Sequence, residues 1–232
     1  MTEGVEIRLL SLLEGAREAT GQVVIIDVYR AFTSAAVAFR QGVREILLVG
    51  EPEAALDLRR QGRGDLLVGE RGGIMVPGFD LGNSPHALAG MDLHGKRLIL
   101  CTSAGTRGVV AAVQASQRYL AALVNASATA ALLAGQSTVS LVAMGNAGIN
   151  RSDEDELCAL YLRNRLLDRQ PDRESLATLV QDAHESAKFD DPAQPWFDPR
   201  DRDIALRVDS IPIAMRVENR DDLLVATPIA GP

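Results

Sequence analysis

Short apolar runs alternate with segments of helical periodicity along most of the chain. The runs are rich in Val, Ile and Leu and have the length of buried strands; they cover residues 23–26, 46–49, 66–68, 97–101, 119–123 and 139–144. Helices are predicted over residues 33–40, 51–61, 109–115, 127–133, 154–167 and 173–187. This alternation has the spacing of βαβ units, which predicts an α/β fold with helices on both faces of a mostly parallel sheet.

The pattern changes after residue 188. Residues 189–203 combine prolines and acidic residues with Trp196 and Phe197, which favours a long loop or lid over a domain linker. Residues 207–213 and 222–226 are predicted to be two late strands, which would make the sheet mixed if they run antiparallel. We find no internal repeat, and we predict a single domain over residues 1–232.

The composition of the chain argues against some kinds of binding partner and is compatible with others. The formal net charge of −7 argues against a nucleic-acid-binding protein, and apolar runs are too short for a membrane helix. The acidic start Met1–Glu6 does not resemble a signal peptide. Cys101 and Cys158 lie far apart without a CxxC partner, which favours a reducing cytoplasm. A small anionic substrate remains compatible with this charge, because local arginines and backbone amides can bind one.

Polar side chains follow the predicted strands. Asp27 and Arg30 follow the first strand, Glu70 and Arg71 the third, and Thr102–Arg107 the fourth; Asn125, Asn146, Glu154 and Asp155 come after later strands. Ligands of open α/β sheets bind at the carboxyl ends of the strands, so we expect these groups to converge there. The glycine-rich stretch of residues 67–85 adds Asp80, Asn83 and Ser84, although a solvated loop with two turns is the alternative.

Each of these groups has a chemical and a structural interpretation. Asp27 could bind Mg²⁺ and Arg30 a phosphate, or the two could pair to fix the turn. The segment of Thr102, Ser103, Gly105 and Thr106 lies between a strand and a helix, where hydroxyls and backbone amides form either an anion-binding loop or a helix cap. Its spacing is not that of a P-loop.

The acidic residues at 154–156 begin a helix. Glu154 and Asp155 are candidates for metal ligands or a general base, and the alternative is compensation of the helix dipole. The three histidines lack the spacing of metal ligands. The two cysteines are better explained by packing than by nucleophilic catalysis.

Taken together and in this order, these segments resemble the 2-phosphosulfolactate phosphatase family. The resemblance rests on Asp27–Ala31, Gly69–Gly73, Gly78–Pro85, Thr102–Thr106, Asn125–Ser127 and Glu154–Ala159, and it extends from about Val23 to Asp209. It implies a three-layer α/β/α fold and a Mg²⁺-dependent acid phosphatase. Members of the family hydrolyse 2-phosphosulfolactate to 3-sulfolactate and phosphate, a step of coenzyme M synthesis.

With that resemblance, we assign expected roles. Catalytic residues are Asp27, Arg30, Glu70 and Arg71. Substrate-binding residues are Asn83, Ser84, Thr102, Ser103, Gly105 and Thr106. Ligands of Mg²⁺ are a subset of Asp27, Glu70, Asp80 and Asp155. The expected partner is a small phosphorylated acid, with no nucleic acid or membrane, and a homodimer is left open.

The chain departs from the family pattern at Ala104, where an asparagine is usual, and at Ala147, where a polar or acidic residue is common. These departures leave a noncatalytic sensor of a phosphorylated or sulfonated acid as the alternative function. A Rossmann-type nucleotide enzyme is a third class, and the absence of GxGxxG after the first predicted strand argues against it.

Overall fold

The computed structural model describes residues 5–230, so the expectation for the Met1–Glu6 start lies mostly outside the described residues. The strands are β1 (Glu6–Ser11), β2 (Gly21–Ile26), β3 (Glu45–Leu48), β4 (Leu66–Arg71), β5 (Ile74–Met75), β6 (Arg97–Cys101), β7 (Ala115–Ala121), β8 (Thr138–Ala143), β9 (Ile213–Arg220) and β10 (Leu223–Ala230). The α-helices are α1 (Leu12–Glu18), α2 (Ala31–Arg40), α3 (Pro52–Arg60), α4 (Pro85–Ala89), α5 (Gly105–Ala111), α6 (Ala126–Leu132), α7 (Asp153–Leu166), α8 (Arg173–Gln181) and α9 (Pro199–Ala205), and 3-10 helices cover Leu123–Asn125 and His184–Asp190.

The strands form a mixed sheet in the order β1-β8-β2-β7-β9-β10-β3-β6-β4-β5. The strands β1, β8, β2 and β7 pair in parallel, as do β3, β6 and β4. The antiparallel hairpin of β9 and β10 joins these two sets. The hairpin of β9 and β10 lies in the middle of the sheet. The predicted strand over residues 222–226 falls in β10 from Leu223 onward, whereas the predicted strand over 207–213 overlaps β9 only at Ile213.

Helices cover both faces of the sheet. On one side, α1 packs with α5 and against β1 and β8, and α3 packs against β4 and β6. On the other side, α6 packs with α7 over β7 and β8, and α2 lies against β7 and β9. Val23 to Ile26 in β2 are fully buried, which explains why this strand is continuously apolar. The predicted three-layer α/β/α class is confirmed.

The sheet curls strongly. Asp27, directly after β2, accepts a hydrogen bond from the backbone N–H of Gly105 at the start of α5, at 2.8 Å. The strands that precede these residues, β2 and β6, are five positions apart in the sheet, and a flat sheet would separate them by about 24 Å. Helix α5 contacts β2 as well as β3 and β6, so the sheet curls around it. This curvature brings the ends of distant strands together.

Several predicted boundaries were wrong, each for a local reason. The helix predicted over 109–115 begins at Gly105, because the Thr102 and Thr106 side chains bond across the turn before it. The helix predicted over 173–187 ends at Gln181, and the Ser186 hydroxyl then donates to the Val180 carbonyl at 2.7 Å to close a turn.

Other elements also differ from those predicted from the sequence. Residues 207–210 form a turn rather than a strand, since Asp209 adopts a left-handed backbone (φ 57°). Strand β4 continues to Arg71, so Glu70 and Arg71 belong to a strand instead of a loop. Part of the predicted loop over 189–203 is helical, because Asp198 caps α9 and Pro199 occupies its first turn. Strand β1 and helix α1 were not predicted.

Within residues 5–230, no helix combines the length and the apolar character needed to cross a membrane.

Candidate active site

A cavity of about 600 Å³ lies where the ends of β2, β4 and β8 meet the segment of residues 184–205, which we call the strap. Its lining includes the following charged and polar side chains: Asp27, Arg30, Glu70, Asn83, Ser103, Glu154, His184, Glu185 and Lys188. Groups that the sequence analysis placed after different strands therefore share one cavity.

Two buried carboxylates are held by the same loop. Asp27 accepts hydrogen bonds from the backbone N–H groups of Ala31 (3.0 Å) and Gly105 (2.8 Å). Glu70 accepts from the N–H and the hydroxyl of Ser103, at 2.7 and 2.9 Å, and from the N–H of Gly73 at 2.8 Å. A Cβ atom at position 105 would lie 2.8 Å from Asp27 Oδ2, so this approach requires glycine.

Neighbouring residues in β4 point in opposite directions, as strand geometry dictates. Glu70 lines the cavity. The Arg71 guanidinium lies on the other side, where it donates to the carbonyl of Gly50 and to Cys101 Sγ at 3.3 Å. Of these two predicted catalytic residues, the structure brings only Glu70 to the cavity.

Glu154 and Asp155, at the start of α7, also differ in whether they face the cavity. Asp155 is buried and accepts from the backbone N–H groups of Val28 (2.7 Å) and Gly145 (2.8 Å), so it joins the ends of β2 and β8. Glu154 lines the cavity, and its buried Oε2 has no hydrogen-bond partner within the described residues. Both residues were candidates for a metal ligand or a general base, and Asp155 was the one assigned to the Mg²⁺ ligands. The structure places Glu154, and not Asp155, in the cavity lining.

Arg30 lines the cavity and also joins three segments. Its guanidinium donates to the carbonyl of Trp196 (2.8 Å), to the carbonyl of Gly73 (3.2 Å) and to the carboxylate of Asp201 (2.9 Å). It also lies over the ring of Phe197, at 4.7 Å from the centroid. Arg30 does not pair with Asp27, the alternative interpretation of these two residues, but with Asp201 in α9. Arg30 therefore positions the strap and has donors left for a ligand.

The remaining predicted residues are distributed between the cavity and its supports. Asn83 lines the cavity, and its buried Oδ1 has no partner within residues 5–230. Ser84 caps α4 and donates to Asp201 at 2.7 Å. Thr102 and Thr106 are buried and bond each other. Asp80 lies away from the cavity, where it accepts from the N–H of Leu67 at the start of β4.

Burial dominates the electrostatics of the acidic groups. Burial, together with the negative charge of Glu70, raises the pKa of Asp27 to about 6, although the hydrogen bonds from Ala31 and Gly105 act in the opposite direction. Burial likewise raises the pKa of Glu154 to about 7, opposed by the charge of Lys188. The pKa of Asp155 is raised well above its usual range by burial and by the charges of Glu154 and Asp27. A cavity with this excess of acids attracts protons or a metal cation.

A cation here would have few protein ligands. Within the described chain, no group of three or more His, Cys, Asp and Glu side chains has the arrangement of a metal site. Asp27 and Glu70 are close enough for charge repulsion, and Asn83 Oδ1 and Glu154 Oε2 are buried oxygens without partners. Mg²⁺ commonly takes one or two carboxylates together with water and substrate oxygens. The donors present fit that ion.

The contribution of the strap to the cavity was not predicted from the sequence. Lys188, Glu185 and Phe197 line the cavity, and the Tyr29 hydroxyl is 2.9 Å from the Ser186 hydroxyl beneath them. The available signal was Lys188, one of the two lysines in the sequence, which is followed within nine residues by the aromatic residues Phe189, Trp196 and Phe197.

The chain matches the family described as 2-phosphosulpholactate phosphatase over residues 10–196. The chain belongs to the 2-phosphosulpholactate phosphatase family. A relative from Bacillus subtilis named "Probable 2-phosphosulfolactate phosphatase" is 33% identical over 183 residues, which cover 77% of this chain and 78% of that protein. A relative of the same name from Thermoplasma volcanium is 30% identical over 77% of this chain and 84% of that protein.

A third relative of that name, from Deinococcus radiodurans, is 43% identical over 128 residues. That match spans about half of each protein, 54% of this chain and 53% of the relative. Ala104 and Ala147, the two positions at which the resemblance predicts a departure from the family pattern, both line the cavity. Ala147 has a left-handed backbone (φ 54°), which is uncommon for alanine.

Proposed function

We propose that this protein is a Mg²⁺-dependent phosphatase that hydrolyses the phosphate ester of a 2-hydroxy acid. The first candidate substrate is 2-phosphosulfolactate, which would give 3-sulfolactate and phosphate, a step of coenzyme M synthesis in the cytoplasm. The observation that carries the proposal is the cavity whose lining combines Asp27 and Glu70, both tied to one loop, with Arg30 and Lys188. Family membership supports it independently.

Asp27 and Glu70 are the residues that would hold Mg²⁺, which supplies charge neutralisation for the phosphate and orientation of the attacking oxygen. The 102–106 loop fixes both carboxylates, so little reorganisation is needed when a ligand binds. Arg30 retains unused guanidinium donors for a phosphate oxygen, and Asn83 Oδ1 can accept a hydrogen bond from the substrate or from water.

Ester hydrolysis also requires a proton for the leaving oxygen. Glu154 is suited to this role, because burial raises the pKa of its carboxyl to about 7 and its Oε2 is unpartnered in the described chain. A carboxyl with a pKa near the working pH can hold a proton and release it during the reaction. Residues of the strap, among them Glu185, Lys188 and Phe197, form part of the cavity wall.

The test is phosphate release from 2-phosphosulfolactate and related 2-phospho acids, with Mg²⁺ and with excess chelator. We expect release that chelation abolishes and added Mg²⁺ restores. We also expect the Asp27→Asn variant to lose about 100-fold or more in kcat. Asp80→Asn is the matched control, since Asp80 lies away from the cavity, and it should keep most of the activity.

A noncatalytic sensor is the second candidate, and the observation that favours it is the pair of methyl groups, Ala104 and Ala147, in the cavity lining. Saturable binding of these compounds without phosphate release, with or without Mg²⁺, would favour the sensor and overturn the phosphatase.

A further inference from the structure

Lys188 occupies an unusual environment in the strap. Its Nζ lies 5.0 Å from the ring centroid of Phe197, 5.7 Å from that of Tyr29 and 5.8 Å from that of Phe189. It also donates to Glu185 at 2.9 Å, and both side chains are less than one-fifth exposed, at 17% and 18%. Three rings around one ammonium group fix its position, since each attracts the charge with its face.

The ammonium group has capacity for a ligand. An ammonium carries three donors, and one of them is directed to Glu185. Lys188 lines the cavity, and its positive charge lowers the pKa of Asp27 and of Glu154, which places it within electrostatic reach of both. A surface ion pair would be mobile and solvated, whereas this lysine is held at the wall of the cavity.

Phe197 links this lysine with Arg30. The ring contacts the Arg30 guanidinium at 4.7 Å and the Lys188 ammonium at 5.0 Å. Two cations therefore flank one aromatic side chain at the wall of the cavity. This arrangement suits a ligand with two anionic groups, because each group can meet its own cation.

We propose that Lys188 binds the second anionic group of the substrate, a sulfonate or carboxylate beside the phosphate ester, and so determines selectivity for such esters. The inference rests on the proposed function, and it assigns recognition of the substrate to the strap. Tyr29, Phe189 and Phe197 hold the ammonium in place, while Glu185 accepts from it when the second anion is absent.

The first experiment compares two substrates, 2-phosphosulfolactate and glycerol 2-phosphate, which has no second anionic group. A charge-assisted hydrogen bond corresponds to about 10- to 100-fold in affinity. We expect Lys188→Met and Lys188→Gln to lower the ratio of the two kcat/KM values by that factor, mainly through the KM for 2-phosphosulfolactate. Lys188→Arg should recover part of the ratio, and the control Lys96→Met should leave it unchanged.

Equal losses on both substrates would indicate a structural role for Lys188 and would overturn the proposal, as would no loss on either. Melting curves of both neutral variants show whether the fold is intact. If the protein releases phosphate from no ester, the proposed function fails, and the second experiment then tests the role of Lys188 alone.

That experiment is calorimetric titration with 3-sulfolactate, which requires no turnover. We expect the wild-type protein to bind it and the Lys188→Met variant to bind at least about 10-fold more weakly. Equal affinity of the two proteins, or no binding to the wild type, would overturn the role of Lys188 even if phosphate release is normal.

Discussion

The buried ion pair between Arg30 and Asp201 joins the strap to the body of the protein, and its removal is a direct test of the structure. The Asp201 carboxylate is fully buried, and Arg30 is 3% exposed. One Asp201 oxygen accepts from Arg30 at 2.9 Å, and the other accepts from the Ser84 hydroxyl (2.7 Å) and the His86 N–H (3.0 Å). An Asp201→Ala variant would leave these donors without their acceptor.

The expected loss of stability in Asp201→Ala arises because the buried Arg30 guanidinium loses its carboxylate partner. Removing one partner of a buried pair typically destabilises a protein by about 3–5 kcal/mol. Arg30 keeps its bonds to the carbonyls of Trp196 and Gly73, so we expect the lower end, about 3 kcal/mol. For a chain of this size, that corresponds to a fall in Tm of roughly 6–12 °C.

Urea unfolding and thermal melting measure this loss. The control is Asp190→Ala, which removes an ion pair with Arg202 in the same strap, but with an Asp190 side chain that is 61% exposed. Exposed pairs contribute little, so the control should change stability far less. The reasoning fails if Asp201→Ala costs less than about 1 kcal/mol or no more than the control. The double variant Arg30→Met/Asp201→Ala should cost less than the sum of the single variants, because no charge then remains unpaired.

Two further predictions concern the carboxylates of the cavity. Burial raises the pKa of Asp27 to about 6 and of Glu154 to about 7, from 3.8 and 4.5, so the folded state holds protons that the unfolded chain has released. The free energy of unfolding should therefore fall as the pH rises from about 4 to about 7, with a smaller fall in Glu154→Gln, as urea unfolding across this range would show. A Gly105→Ala variant should lose stability, by about 1–3 kcal/mol, and activity, because its Cβ would meet Asp27 Oδ2. Gly90→Ala, where the nearest atom is 3.7 Å away, is the control in both assays, and equal effects would contradict this reasoning.

The sequence carried enough information for the fold class and for part of the cavity. The uninterrupted run Val23–Ile26 predicts a strand buried on both faces, and β2 is such a strand. Asp27, Glu70 and Ser103 follow or end different strands, and the rule that ligand-binding groups collect at carboxyl ends brings them together. This rule applies whatever the order of the strands in the sheet, so it could be used before the topology was known.

The sequence did not show which of two neighbouring side chains faces the cavity, because this depends on how each strand or helix is oriented in the fold. Whether Glu70 or Arg71 faces the cavity follows from the register of β4, which continues three residues beyond the predicted strand. Glu154 and Asp155 are separated by about 100° around α7, so the angle at which the helix packs decides their roles. The position of Lys188 depends on the path of the strap, which is set by tertiary contacts such as those of Arg30.

The order of strands has a consequence for the biosynthesis of the protein. Asp27 follows β2 in one parallel set of strands and Glu70 lies in β4 of the other. In the sheet formed by residues 5–230, only the hairpin of β9 and β10 joins the two sets. Residues 213–230, which form this hairpin, are translated after every other described strand. The two sets of strands can emerge from the ribosome long before they can be joined. We therefore expect the joining of the two sets, a pairing between segments far apart in sequence, to be a late step of folding, and such long-range pairing is a slow class of folding event.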